Sequence, residues 1–302
     1  MQDAIFSIVM PSFQQGAFIA RSISSILSQS FRSFELIVMD GGSTDQTLDV
    51  LKHFARKDAR IRWYSEPDEG QADAVNNGWQ RATGTVLGWL NSDDIYYEEA
   101  FAGVARHFLK HPDADMVYGE GDHIDINDRF LARHPTEEWN GDRLRERVLV
   151  AQPSVFLHRR VLEKCGLLDA RLHYCMDYEY WLRLSQANRM VHYIPRVLSG
   201  TRFHAGAKTI HKRLEMHAEV NDMLHRRLGK VPARWLLNYA FVAAGVDGEF
   251  RWSTPWRALR VLPCAIEASR RWNGSLPPAT LLEWSQGISE KAVRAFERRQ
   301  AG

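Results

Sequence analysis

Residues 86–94, VLGWLNSDD, join a short apolar run directly to two adjacent carboxylates. The run at 86–90 is rich in branched or aromatic side chains, which predicts a buried β-strand. Asp93 and Asp94 would repel each other unless a cation lies beside them, and carboxylate oxygens suit Mg²⁺ or Mn²⁺. Acidic residues also stabilise helix N-termini, so residues 92–94 could simply cap a following helix. The segment alone leaves both alternatives open.

Strands and helices alternate on both sides of this segment up to about residue 119. Further strands are predicted at 5–10, 34–39 and 61–64. Apolar residues with helical spacing form four amphipathic faces: Ile19, Ile23, Ile26 and Leu27; Leu48, Leu51 and Ala55; Ala72, Val75, Trp79 and Ala82; Phe101, Val104, Phe108 and Leu109. The second helix is predicted to begin at 43–46, where Ser43 and Gln46 could form a capping box. This alternation predicts an α/β fold with a mostly parallel, Rossmann-like sheet flanked by helices.

Polar residues follow each of these strands, at 11–13, 40–43, 66–70 and 91–94. Because ligands bind at the carboxyl ends of parallel strands, we expect these four clusters to form one site.

The remainder of the chain is less regular. A hairpin around Asn127 and Asp128, a strand at 154–158 and a helix at 178–186 are predicted. Arg-rich helical segments punctuated by Gly and Pro follow residue 211. We therefore predict one α/β domain at 1–210, made of two halves at about 1–119 and about 120–210, and a helical C-terminal region at 211–302.

Composition excludes some functional classes. The 302 residues carry a net charge of +2, which gives no reason to expect nucleic-acid binding. The three cysteines lack metal-type or disulfide-framework spacing, and no run approaches the roughly 20 apolar residues that cross a bilayer. The N-terminus also lacks an export signal. These features predict a cytoplasmic protein.

The order and spacing of the motifs resemble the inverting glycosyltransferase family 2, which has the GT-A fold. The resemblance covers roughly residues 6–209, and its motifs lie at 9–13, 40–45, 66–70, 73–78, 89–94, 152–154 and 177–184. It implies that residues 1–210 form a catalytic domain with a nucleotide-binding half at about 1–119 and an acceptor half at about 120–210. It also implies a nucleotide diphosphate sugar donor, and UDP is expected in preference to GDP or dTDP. It also implies a glycan or lipid-linked acceptor in the synthesis of bacterial surface polysaccharide or a related glycan.

The resemblance also assigns donor-binding residues. Asp40 is expected to hydrogen-bond the nucleotide base in a pocket lined by Pro11 and Phe13, although it could instead cap its helix. Further donor contacts are expected from Asp68, Asp73, Asn91, Ser92 and Asp94. For Asp68 and Asp73, the alternative is a turn followed by a helix N-terminus.

Two metal ligands are implied, Asp93 and His204, for Mn²⁺ or Mg²⁺. Asn91 replaces the first Asp of the family's Asp-any-Asp motif, and its amide can still bind a ribose hydroxyl or a metal-bound water. His204 lies in a segment that closes over the diphosphate in the family, with Lys208 as a weaker phosphate contact. A lone His can also be structural.

Asp177 is the implied general base, although Met176 stands where the family has Glu, and a plain helix cap is the alternative. Glu179 is a second candidate base. The acceptor region is expected to include Gln152, Glu179 and Trp181, although Gln152 could instead satisfy buried backbone groups.

The C-terminal region combines an apolar run at 235–244 with later Trp and Arg residues. This pattern suits either peripheral membrane contact, at the inner face of the cell membrane, or helices that pack on the catalytic domain or on a second subunit. Two other functions compete with transfer. A catalytically silent sugar-nucleotide-binding or scaffold protein is one, and a dinucleotide-dependent oxidoreductase is disfavoured because residues 11–16 lack the glycine fingerprint.

Overall fold

The computed structural model describes residues 5–204, 212–246, 255–277, 280 and 284, with the side chains of 255–259 left out. The chain divides into two compact units, Met1–Gly141 with Leu149–Ala205, and Asp142–Val148 with Gly206–Gly302. The second unit thus includes residues 142–148, which the sequence analysis assigned to the acceptor half.

The first unit is built on a sheet of nine strands among the described residues. The strands are β1 (Phe6–Ser12), β2 (Phe34–Asp40), β3 (Ile61–Ser65), β4 (Val86–Trp89), β5 (Ile95–Tyr96), β6 (Met116–Ile124), β7 (Phe130–Arg133), β8 (Val155–His158) and β9 (Val191–Arg202). Their order is β3-β2-β1-β4-β8-β6-β9-β5, and β7 pairs with β6.

Strand direction follows from the pairings. β1–β4 are mutually parallel, β8 runs antiparallel to both β4 and β6, and β9 is parallel to β6. β1–β4, β6 and β9 therefore point one way, while β5, β7 and β8 point the other way. The predicted α/β fold with a mostly parallel sheet is confirmed.

Helices cover the sheet of the first unit. They are α1 (Ile19–Leu27), α2 (Thr47–Lys57), α3 (Gln71–Arg81), α4 (Ala100–Lys110), α6 (Arg160–Cys165) and α7 (Met176–Gln186). The helix α5 (Gly141–Glu146) belongs to the second unit except for its first residue. Alternate β1 side chains, such as Phe6 and Ile8, join a core with Ile23 of α1 and Phe101 of α4. Each fully buried side chain of this size contributes about 1.5–3 kcal/mol.

The opposite face of β1 packs closely against α3. A Cβ added at Gly78 would lie 2.4 Å from Cγ1 of Val9, so α3 can approach the sheet only because residue 78 lacks a side chain.

Two local predictions were wrong. The helix α2 begins at Thr47, and Ser43 makes no capping bond but donates to Oδ1 of Asp40 at 2.5 Å. Asp45 instead accepts a hydrogen bond from the Thr47 N–H at 3.0 Å. Leu109 is 83% exposed, so it does not belong to the buried face of α4.

The second unit contains α8 (Arg213–Leu228), α9 (Ala233–Ala243) and α10 (Pro255–Asn273). Its described tryptophan side chains are buried: the Trp272 indole donates to Asp222 at 2.7 Å, and that of Trp284 to the carbonyl of Ala233 at 2.9 Å. This burial fits helix packing. No described helix is long and apolar enough to cross a membrane.

Candidate active site

The parallel strands bring their carboxyl ends to one edge of the sheet, which we call the carboxyl edge. The segments after β4, β6 and β9 meet there, although they are far apart in sequence. β6 and β9 were not among the four strand ends that the sequence analysis singled out.

The two predicted metal ligands lie side by side at this edge. Nε2 of His204 is 3.0 Å from Oδ2 of Asp93, and their side chains are 9% and 21% exposed. The ring of His204 packs against Phe18, with 4.5 Å between the ring centroids. The pair offers one carboxylate and one imidazole on adjacent, partly accessible atoms.

Residues 91–94 do not cap a helix. They are followed by the strand β5, and the next helix, α4, begins only at Ala100. The helix-cap alternative for the two adjacent carboxylates is therefore wrong.

Asp94 is buried behind Asp93. Its Oδ1 accepts a hydrogen bond from the Arg202 backbone N–H at 3.0 Å, and its Oδ2 accepts one from Nδ2 of Asn91 at 3.2 Å. Burial raises the pKa of Asp94, and the neighbouring Asp93 carboxylate raises this pKa further. The bonds of Asp94 connect β9 to the segment after β4. Ser92 is also buried, and its carbonyl accepts a hydrogen bond from Ser22 of α1 at 2.9 Å.

The amide of Asn91 has a defined orientation. The Trp89 indole N–H, which can only donate, lies 2.9 Å from Oδ1, and Nε2 of Gln71 donates to the same oxygen at 2.6 Å. Nδ2 must therefore face Asp94. An Asp at position 91 would place a second carboxylate against the buried Asp94 carboxylate, and the two charges would repel each other. The amide of Asn91 avoids this repulsion and donates a hydrogen bond instead.

The side chain of Arg202 is buried at the same edge and binds residues of two segments there. Its fully buried guanidinium donates to Oδ1 of Asp128 and to the backbone carbonyl of Asp93, and it packs 5.3 Å from the Phe18 ring centroid. Asp128 also pairs with Arg21 at 3.1 Å. Asp128 lies in the turn between β6 and β7, where the sequence predicted the hairpin, but no sequence signal linked that turn to Asp93.

Asp40 is buried at the end of β2 and organises its own turn. Its carboxylate accepts hydrogen bonds from the N–H groups of Gly42 and Ser43 and from the hydroxyls of Ser43 and Ser65. Because α2 begins later, the helix-cap alternative is wrong for Asp40. Contact with a nucleotide base stays a prediction.

Only one of the two residues that were predicted to line the base pocket is exposed. Pro11 is buried within β1 and does not follow the strand, whereas Phe13 is 59% exposed. Phe13 is thus the member of the pair whose ring can meet a ligand.

Asp68 and Asp73 stabilise the turn before α3. Oδ1 of Asp68 accepts from the Gly70 N–H at 2.9 Å, and Oδ2 of Asp73 accepts from the Glu69 N–H at 3.3 Å. A Cβ added at Gly41 would lie 2.9 Å from Oδ2 of Asp68, so the turns after β2 and β3 touch. These bonds fit the turn alternative, and donor contact by either carboxylate stays a prediction.

Asp177 lies in the first turn of α7 and is half-buried, and its Oδ1 accepts from the Tyr178 N–H at 2.7 Å. The loop before α7 reaches the start of α3, since Nδ1 of His173 lies 3.6 Å from a Cβ added at Gly70. Asp177, the predicted base, therefore lies on a helix that begins near the turn after β3, and its role as base stays a prediction.

The three side chains that were predicted to line the acceptor region pack or form bonds within the protein. Glu179 is 1% exposed and forms an ion pair with Arg183 at 2.9 Å, so its carboxylate is engaged inside the protein, and its role as a second candidate base stays a prediction. Trp181 is buried within α7 and does not line an open surface. Gln152 donates to the Trp89 carbonyl at 2.9 Å, which is the backbone-satisfying alternative.

The carboxylate and imidazole of Asp93 and His204 fit a divalent ion. Mg²⁺ and Mn²⁺ accept one or two protein carboxylates and complete their shells with water and phosphate oxygens. A cation here would also offset the repulsion between Asp93 and the buried Asp94. Lys208 lies outside the described residues.

Solved structures share this fold. The TarS 1–349 protein of S. aureus, in complex with UDP-GlcNAc, matches with a TM-score of 0.65 and 16% identity over 98% of this chain and 92% of that chain. The mannosyltransferase PcManGT of Pyrobaculum calidifontis, in complex with GDP-Man and Mn²⁺, matches with a TM-score of 0.55 and 18% identity over 100% and 85%. The fold is thus the GT-A fold of glycosyltransferases.

Relatives in sequence indicate the family to which the chain belongs. A PGL/p-HBAD biosynthesis glycosyltransferase of Mycobacterium bovis is 32% identical over 189 residues, which cover 61% of this chain and 70% of the relative. The chondroitin synthase of Pasteurella multocida is 26% identical, over 62% of this chain and 20% of that protein. The profile of glycosyl transferase family 2 matches residues 7–161, about half of the chain. The chain belongs to glycosyl transferase family 2 and is a glycosyltransferase.

Proposed function

We propose that this glycosyltransferase moves a sugar from a nucleotide diphosphate donor to a hydroxyl of a glycan or lipid-linked acceptor, with inversion and with Mn²⁺ or Mg²⁺. The contact between Asp93 and His204 carries the proposal, because it sets a carboxylate and an imidazole 3.0 Å apart at the carboxyl edge. A metal bound there would coordinate the diphosphate oxygens and offset the charge on the leaving group.

We expect the turns after β1, β2 and β3 to bind the donor. The exposed ring of Phe13 offers a stacking surface for a base, and the turn organised by Asp40 lies beside it, since Ser12 pairs with Asp40 in the sheet. The neighbouring structures hold UDP-GlcNAc and GDP-Man, which supports a nucleotide sugar as donor. We favour UDP over GDP or dTDP.

The acceptor class follows from the relatives. The M. bovis relative acts in PGL/p-HBAD biosynthesis, and the P. multocida relative is a chondroitin synthase. Both support a role in surface glycan synthesis for this chain.

Asp177 is the proposed general base. It takes the proton of the acceptor hydroxyl as that oxygen attacks the anomeric carbon, on the face opposite the leaving diphosphate. The new glycosidic bond forms as the bond to the diphosphate breaks, so the anomeric configuration is inverted.

The test is a screen of UDP-, GDP- and dTDP-sugars with the full chain, in which released nucleoside diphosphate is measured with Mn²⁺, with Mg²⁺ and with EDTA. We expect turnover of one donor type that EDTA abolishes and that Asp93→Asn lowers strongly. Binding of a nucleotide sugar without hydrolysis or transfer would support the silent binding protein instead. Turnover that is insensitive to EDTA would contradict the metal site.

A further inference from the structure

Outside the active site, the described part of the chain brings three potential metal ligands together: His107, His111 and His192. We propose that these histidines bind a transition-metal ion such as Zn²⁺, at a second site that serves no step of sugar transfer. His107 and His111 are one turn apart at the C-terminal end of α4, and His192 lies at the start of β9.

The geometry of the nitrogens suits such an ion. Nε2 of His107 lies 3.0 Å from Nδ1 of His192, and one nitrogen of each ring lies within 4.8 Å of the others. Two imidazoles bound tetrahedrally at about 2.0–2.1 Å would have nitrogens about 3.3 Å apart. The first pair is therefore almost in place, and His111, the residue after the last turn of α4, needs only a side-chain adjustment.

The chemistry of the rings favours a transition metal over the Mg²⁺ or Mn²⁺ of the active site. Neutral imidazole suits Zn²⁺, Cu²⁺ and Ni²⁺, whereas Mg²⁺ prefers oxygen ligands. Burial lowers the pKa of His107, and the nearby His111, His192 and Lys110 lower it further. A cation would replace the hydrogen bond between His107 and His192, and each ring would keep its proton on the nitrogen that faces away from the ion.

The site is separate from the carboxyl edge. His192 stands at the amino end of β9 and Arg202 at its carboxyl end, so the strand separates the histidine cluster from His204 by on the order of 30 Å. All three rings are half-buried, which leaves the cluster accessible to an ion. A bound ion would fasten the end of α4 to the start of β9, which otherwise meet here through a hydrogen bond between rings.

The experiment measures Zn²⁺ binding to the full chain by calorimetry at pH 7.5. The active-site ligands are first removed by Asp93→Asn with His204→Ala, so that Zn²⁺ bound there does not contribute. In this background we expect one equivalent of Zn²⁺ to bind. Adding His111→Ala or His192→Gln should weaken the affinity for Zn²⁺ at least tenfold. His53→Ala, an exposed histidine of α2, is the control and should change nothing.

Stability provides a second measurement that does not depend on a variant in the cluster. Zn²⁺ should raise Tm in the active-site double variant, and Co²⁺ should give the intense visible absorption of a four-coordinate site with three nitrogen ligands and one water. Loss of all Zn²⁺ binding in the double variant would overturn the proposal. So would unchanged Zn²⁺ affinity in both cluster variants, or a Co²⁺ spectrum of the weak octahedral type.

Discussion

Nε2 of His204 lies 3.0 Å from Oδ2 of Asp93, although 111 positions separate the two residues in the chain. The sheet creates this contact, because β4 and β9 both end at the carboxyl edge. Arg202 holds it in place, since its backbone binds Asp94 and its guanidinium binds the Asp93 carbonyl.

Removal of either member of the pair should abolish metal-dependent transfer. Asp93→Asn and His204→Ala are each expected to lower kcat by about 10²-fold or more, because charge stabilisation by a metal is worth several kcal/mol. The measurement is nucleoside diphosphate release across a Mn²⁺ titration. Asp113→Asn, an exposed carboxylate between α4 and β6, is the control. Wild-type rates in both variants would refute the assignment.

Asn91→Asp should destabilise the protein although it restores the family's usual residue. The new carboxylate would face Oδ2 of Asp94 at about the 3.2 Å now spanned by a hydrogen bond. We expect a loss of about 1–3 kcal/mol in the free energy of unfolding. The loss should be larger at pH 8 than at pH 5, where the two groups can share a proton. Urea unfolding at both pH values tests this, and equal stability of variant and wild type at pH 8 would contradict it.

Asp128→Ala should leave the Arg202 guanidinium buried without its carboxylate partner. Removal of one partner of a buried ion pair costs about 3–5 kcal/mol, and transfer should fall because Arg202 positions the Asp93 carbonyl. Arg21→Ala is the matched control, since it removes the other, more exposed cation that pairs with Asp128. Similar small losses of stability for both variants, measured by thermal unfolding, would show that the buried pair is dispensable.

Asp177→Asn should remove the base and keep the fold. The Asn oxygen can still accept the hydrogen bond from the Tyr178 N–H, so Tm should change little. Transfer should fall by roughly 10²–10⁴-fold while donor affinity is kept. Glu179→Gln should show the opposite pattern, with a lower Tm because the half-buried Arg183 loses its carboxylate partner. Near-normal transfer by Asp177→Asn would exclude it as the base.

His134 should make stability depend on pH. Burial, together with the smaller effect of the nearby His123, lowers the pKa of His134 to about 4. In the unfolded chain His has a pKa of about 6.5, so the unfolded chain binds this proton more readily than the folded protein does. The stability that His134 allows above pH 6.5 is therefore lost as the pH falls toward 4. We expect about 2 kcal/mol of loss from this group between pH 7 and pH 5. Urea unfolding of His134→Gln should lack this component, and an identical pH dependence would contradict the assignment.

The sequence determined the first four strands of the sheet and put forward the candidate site residues. Short apolar runs followed by polar residues predicted β1–β4, and the resemblance named Asp93 and His204 as ligands before any contact between them was known. The strand predictions succeeded because periodicity and turn chemistry are local properties, whereas the roles of Asp93 and His204 as metal ligands stay predictions.

Only the tertiary structure decided what each polar group faces. Asp93 and Asp94 are adjacent and chemically identical, yet one is partly accessible beside His204 and the other is buried against Arg202 and Asn91. Glu179 was a candidate base by position, but packing places Arg183 against it. Burial and partners arise from segments far apart in the chain, and they set the protonation and availability of a carboxylate, so the function of each one follows from the fold.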